Sequence, residues 1–110
     1  LLQNAADRGV ELNAGLKKLQ AAHPKLIGDV RGKGLMQAIE LVADETTKDR
    51  TPNPKAQARL LEETKKRGLL IGKGGLHGNV CRISPALNIT ADEITEAMGI
   101  LEESFAALKA

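Results

Sequence analysis

Aromatic side chains are almost missing: Phe105 stands alone, with no Tyr and no Trp. A core must therefore come from Leu, Ile, Val, Ala and Met, and the platforms on which single-stranded nucleic acid stacks are lacking. The single cysteine, Cys81, excludes an internal disulfide and fits a reducing cytoplasm. No apolar run approaches the length of a membrane span, and no signal-peptide pattern opens the chain. Neither sign of charge dominates, because 16 basic residues are interleaved with 14 acidic ones for a net charge of +2. Such a mixed, solvated surface is not the basic stripe of a nucleic-acid binder. Metal-ligand spacing is missing as well, since His23 and His77 lie far apart and neither has a neighbouring Cys or His.

What is present is an ordinary globular composition, 42% hydrophobic and 27% charged over 110 residues, enough for one domain with one modest core. The first residue, Leu1, already falls inside a helical pattern, so upstream sequence is expected.

Leu2, Ala5, Gly9, Leu12, Leu16 and Leu19 recur at steps of three and four and predict an amphipathic helix over residues 1–22, stopped by His23-Pro24. Two apolar runs, from Ile27 to Arg31 and from Leu35 to Val42, joined through Gly32-Lys33-Gly34, predict a β-hairpin. In the second run one face carries Leu35, Gln37, Ile39 and Leu41 and the other Met36, Ala38, Glu40 and Val42. Both faces are mainly apolar; one packs on helices, and the other calls for a second layer and a wide apolar patch. Residues 43–53 form a polar loop. Asn53 then caps a helix that starts at Pro54, advances through Ala58, Leu61 and Lys65, and ends near Arg67 with Gly68 as the left-handed stop. Leu69-Leu70-Ile71 is a short strand, residues 72–78 a glycine-rich loop, and residues 79–83 another strand. After Ser84-Pro85-Ala86, Leu87-Asn88-Ile89 is an optional further strand. Thr90 and Glu93 then form a capping box, followed by a last helix on Ile94, Ala97, Met98, Leu101, Phe105 and Leu108. The fold class is α+β: a small, mostly antiparallel sheet with helices on one face, in the order α-β-β-α-β-β-(β)-α.

Few residues here carry chemistry. The glycine loop lacks the Gly-Lys-Ser/Thr and following helix of a phosphate loop, so it is either a turn needing positive φ or a place where a ligand or chain approaches closely. His23 reads as a helix-end surface residue, His77 as a loop residue and Cys81 as a buried small hydrophobe. Glu40 is either the partner of a buried cation or an edge residue facing water. Arg82 stands out, lying in a strand of apolar and small residues directly before the rigid Ser84-Pro85 turn. A guanidinium there either meets an anion, a carboxylate suiting its planar fork, or serves as an internal salt bridge or a snorkelling edge arginine.

The run from Ile27 to Met36 with Ile39-Glu40-Leu41, then Gly68 to Ile71, then Arg82 through Thr90, resembles in order the small C-terminal domain of class III, fold type I, pyridoxal-phosphate-dependent aminotransferases. The resemblance covers essentially residues 1–110. It implies that the whole protein is a homodimer moving an amino group between an amino acid (or omega-amino acid) and a 2-oxo acid, in the cytoplasm that the single cysteine fits. Pyridoxal 5'-phosphate would be held by a large domain that this chain lacks. It also implies that Arg82 grips the substrate carboxylate while this domain closes the active site, and that no catalytic, cofactor-binding or metal residue lies in this chain, which alone is inactive. Ala86 departs from the second proline common in the family and loosens the turn that aims Arg82. No nucleic acid and no membrane are expected as partners. The rival reading is a free-standing ferredoxin-like ligand-binding or regulatory module.

Overall fold

Leucines at helical spacing bury one face of α1 (Leu2–Ala22), through Gly9, Leu12, Leu16 and Leu19, whereas Leu2 at its start is exposed. The helix ends where expected, before Pro24, and His23 N closes it by donating to the Leu19 carbonyl at 3.0 Å. A computed structural model of the chain describes residues 2–43, 51–69, 71–75 and 78–108. The expected polar loop therefore lies outside the described residues at 44–50, as do Leu70, Leu76 and His77. Among the described residues no helix is long and apolar enough to cross a membrane.

The hairpin consists of β1 (Ile27–Lys33) and β2 (Met36–Leu41), turning at Gly34-Leu35. Ile27 pairs with Leu41 but Asp29 with Glu40, so one extra residue is accommodated at Gly28. That bulge lets Ile27 and Val30, of opposite parity in sequence, both reach the core. Helix α2 (Pro54–Lys66) is capped as expected: Asn53 Oδ1 accepts from Ala56 N at 3.1 Å. Gly68 takes φ +87° beyond its end. Its buried face, however, is Gln57, Leu60 and Thr64, one residue out of phase with the expected Ala58, Leu61 and Lys65. The helix turns because Gln57 Nε2 reaches the Val80 carbonyl at 3.2 Å, and Leu60 fills the core.

The third strand corrects the expectation. It is β3 (Gly72–Gly74), inside the stretch read as loop, while Leu69 and Ile71 only pack against the core. β4 is Val80–Ile83, and helix α3 (Ala91–Leu108) starts from the reciprocal box in which Glu93 N donates to Thr90 Oγ1 and Thr90 N to Glu93 Oε1, at 3.1 and 3.0 Å. Leu87-Asn88-Ile89 is a turn, not the optional strand; the Leu87 and Ile89 carbonyls accept from Asn4 Nδ2 of α1, each at 2.9 Å, in place of a strand neighbour.

The four strands form one fully antiparallel sheet in the order β1-β2-β4-β3. This is the α+β class expected. Its core lies between one sheet face (Ile27, Val30, Ile39, Leu41, Cys81) and the helices (Leu12, Leu16, Leu19, Leu60, Ile94, Leu101, Phe105). Phe105 is wholly buried, and His23 is half-buried with its ring centroid 5.4 Å from that of Phe105, so His23 is more than a surface helix end.

Candidate functional site

Strand register assembles the site. Arg31 pairs with Ala38, Ala38 with Arg82, and Arg82 with Gly72, so one row crosses all four strands on the face without helices. Neighbouring strands lie about 4.8 Å apart, which puts the two arginine stems roughly 10 Å from each other across the Ala38 methyl. Arg31, Lys33, Met36, Arg82 and Ser84 help to line a shallow groove of about 800 Å³ over this row.

The two guanidinium groups differ in charge balance. Arg31 Nη1 donates to Asp29 Oδ2 at 2.9 Å and to Glu40 Oε2 at 3.0 Å. Asp29 first and Glu40 second raise its pKa by accepting those bonds, so Arg31 is already compensated. Arg82 is exposed, and its Nη2 donates to the Lys73 carbonyl at 3.1 Å. Among the described residues no carboxylate stands within ion-pair distance of it. A guanidinium offers five N–H donors, and the Lys73 carbonyl takes one of them. Arg82 is thus not the buried group that would demand an anion. Among the described residues it forms no salt bridge, and it is not an edge-strand arginine, since β4 lies inside the sheet.

Glu40 likewise lies on an inner strand and is paired with a half-exposed arginine, which differs from both expectations for it. Met36 is 73% exposed, but the ion pairs beside it keep the open face from being the wide apolar patch anticipated. Apolar surface there is confined to a strip around Met36 and Ala38.

The lip of the groove is tied to α1. Gln37, on the opposite side of β2 from Met36, is buried; its Nε2 donates to the Gly34 carbonyl at 2.7 Å and its Oε1 accepts from Asn13 Nδ2 at 2.9 Å. Gly9 of α1 lies against Gly34 so closely that a Cβ would stand 2.5 Å from the Gly34 carbonyl oxygen. Beyond β4, Ile89 N donates to the Ala86 carbonyl at 3.0 Å, so the turn is hydrogen-bonded with alanine in place.

Cys81 points to the core from beside Arg82, and burial pushes its thiol up to about 12. The thiolate needed for a nucleophile is thereby suppressed. Arg31 and Met36 were not read from sequence as groove residues. The alternation of residues 35–42 marked the face of Met36, but pairing across strands is needed to bring Arg31 onto it. Every described lysine is exposed, so the described residues do not form an enclosed lysine site for pyridoxal phosphate.

The sequence and the fold are similar to those of known proteins. Residues 1–105 match the sequence model of the family described as aminotransferase class-III. The mitochondrial alanine–glyoxylate aminotransferase 2 homolog 2 of Arabidopsis thaliana is 45% identical over 101 residues, which is 89% of this chain and 20% of that protein. A Bacillus anthracis aminotransferase of known crystal structure is 35% identical and superposes with a TM-score of 0.82, over 94% of this chain and 24% of that one. An Arthrobacter phospholyase solved with phosphoethanolamine is 30% identical with a TM-score of 0.85, again over 94% and 24%. The chain therefore spans about a fifth to a quarter of the length of these relatives. With the match running through the hairpin, the Arg82 strand and the last helix, the chain belongs to the class III aminotransferase family.

Proposed function

We propose that this chain is the C-terminal small domain of a pyridoxal-phosphate-dependent aminotransferase, and that Arg82 is its ligand for the substrate carboxylate. The observation that carries the reading is the exposed Arg82 guanidinium, without a carboxylate partner among the described residues, beside a groove on the sheet face opposite the helices. A carboxylate entering the groove meets a planar fork and, on its far side, an Arg31 whose charge is already met by Asp29 and Glu40. The domain contributes orientation: it holds the acid end of an amino acid or 2-oxo acid so that the amino-bearing carbon faces the cofactor. Pyridoxal phosphate supplies the electron sink for that carbon when bound by the part of the protein outside this chain. Covering the groove with that part excludes water and strengthens the arginine–carboxylate contact. Homodimerisation and a cytoplasmic location belong to the same proposal, resting on the family resemblance and on the single thiol. Family membership, with a match to only a fraction of each relative, favours this reading over a free-standing module.

The test is the full-length protein with Arg82→Ala, assayed for amino transfer with glyoxylate, pyruvate and 2-oxoglutarate. Cofactor absorbance should be retained, while kcat/KM for the acid falls about a hundredfold or more, as expected when an orienting contact is lost. Unchanged kinetics with every acid would remove Arg82 from the role.

A further inference from the structure

Gly74 has no conformational need to be glycine: it lies in β3, and it is not among the positive-φ glycines. Its reason is space. A Cβ at position 74 would stand 2.5 Å from Arg82 Nε and 2.9 Å from Arg82 Cζ. Gly72, paired directly with Arg82, behaves differently, because a Cβ there would lie 3.6 Å from Arg82 Cβ, an ordinary contact. The guanidinium therefore leaves its own register row and lies across β3 above Gly74, where Nη2 meets the carbonyl of the preceding residue, Lys73.

We propose that Gly74 is a positioning residue: the side chain it lacks is the bay that seats the Arg82 guanidinium, and this seat sets the direction from which the remaining N–H groups face a substrate carboxylate. The inference rests on the carboxylate role of Arg82 proposed above. With a β-carbon at 74 the guanidinium, as the far end of a flexible side chain, swings off Lys73 and points elsewhere. The fold yields little, because the backbone at 74 accepts alanine. Gly72→Ala is the built-in control, since it adds the same methyl to the same strand without touching the charged group.

The experiment compares Gly74→Ala, Gly72→Ala, Arg82→Ala and the Gly74→Ala/Arg82→Ala double variant in the full-length protein, with glyoxylate, pyruvate and 2-oxoglutarate as acids. Gly74→Ala is expected to lower kcat/KM for the acid roughly tenfold or more, the scale of a misplaced orienting group, with cofactor absorbance retained. Gly72→Ala should match the parent, and Gly74→Ala should add nothing once Arg82 is gone. A crystal structure of the Gly74→Ala protein should show the Arg82–Lys73 hydrogen bond broken. Equal kinetics for the two glycine variants, a Gly74 effect that persists without Arg82, a larger fall in unfolding temperature for Gly74→Ala than for Gly72→Ala, or an Arg82 still seated on Lys73 would each overturn the proposal. An Arg82→Ala protein with normal kinetics would instead overturn the carboxylate role, leaving the crystal structure to decide the seating.

Discussion

At the scale of single residues, neighbours on one strand have opposite fates. Cys81 faces the helices and is fully buried, whereas Arg82 faces the open groove. Burial raises the Cys81 thiol from its ordinary value near 9 to about 12, because the thiolate would lose its hydration. At pH 8 the thiolate population in the folded chain is then about a thousandfold below that of the unfolded chain. Alkylation by iodoacetamide should accordingly be very slow in native buffer and fast in denaturant, and comparable rates in the two would contradict the burial. Between about pH 9 and 12 the unfolded chain binds fewer protons than the folded one, so stability falls as pH rises through this window. This contribution is fully present below pH 9 and should appear as a declining unfolding midpoint in alkaline titration.

Among the elements, α1 and the hairpin turn approach closely, and two helical glycines separate packing from propensity. Gly9 lies against the Gly34 backbone, where carbonyl oxygen, carbonyl carbon and Cα would stand 2.5–2.8 Å from an added Cβ. Backbone cannot step aside as a flexible side chain can, so Gly9→Ala should cost about 1–3 kcal/mol despite alanine's better helix propensity. Gly99 on α3 has open space where its Cβ would be, and Gly99→Ala should stabilise by about 1 kcal/mol. Urea midpoints at constant slope distinguish the two, and a shift of the same sign for both would reject the contact between Gly9 and the turn. Helix α2 makes a related point, because its phase follows from the buried Gln57 amide on the Val80 carbonyl and not from its apolar residues alone.

For the whole molecule the asymmetry of the sheet is decisive: among the described residues three helices cover one face, and the exposed part of the other carries Met36 and Ala38 between the ion-paired Arg31 and the exposed Arg82. The chain spans about a quarter of the structures it resembles, and on the proposed reading the rest of the protein covers this strip. Met36→Lys places a charge on the strip without disturbing this chain's own core. It should change the stability of the isolated chain by less than about 0.5 kcal/mol, as exposed substitutions do. In the full-length protein, where a neighbouring lobe covers the strip on the proposed reading, the same change should lower the unfolding midpoint measurably. Equal, small effects in both would mean that nothing apolar rests on Met36.

Local features were legible before any coordinates: the helix stop before Pro24, the Asn53 cap, the left-handed Gly68, the Thr90–Glu93 box and the order of helices and strands. Each is decided within a few residues, by a missing N–H, an orphan backbone group or a forbidden φ, so the amino acids themselves suffice. Arg82 could be singled out for the same reason, as a charge in an apolar run. What the chain order could not reveal was the row Arg31–Ala38–Arg82–Gly72, the bulge at Gly28, the rotation of α2, or a strand made of glycine and lysine at 72–74. These depend on which residues meet across distances of tens of positions, and pairing energy is shared among many contacts of similar strength. Tertiary structure alone decided that Arg31 is ion-paired, that Arg82 has no carboxylate partner among the described residues, and that Gly74 leaves the space its guanidinium occupies.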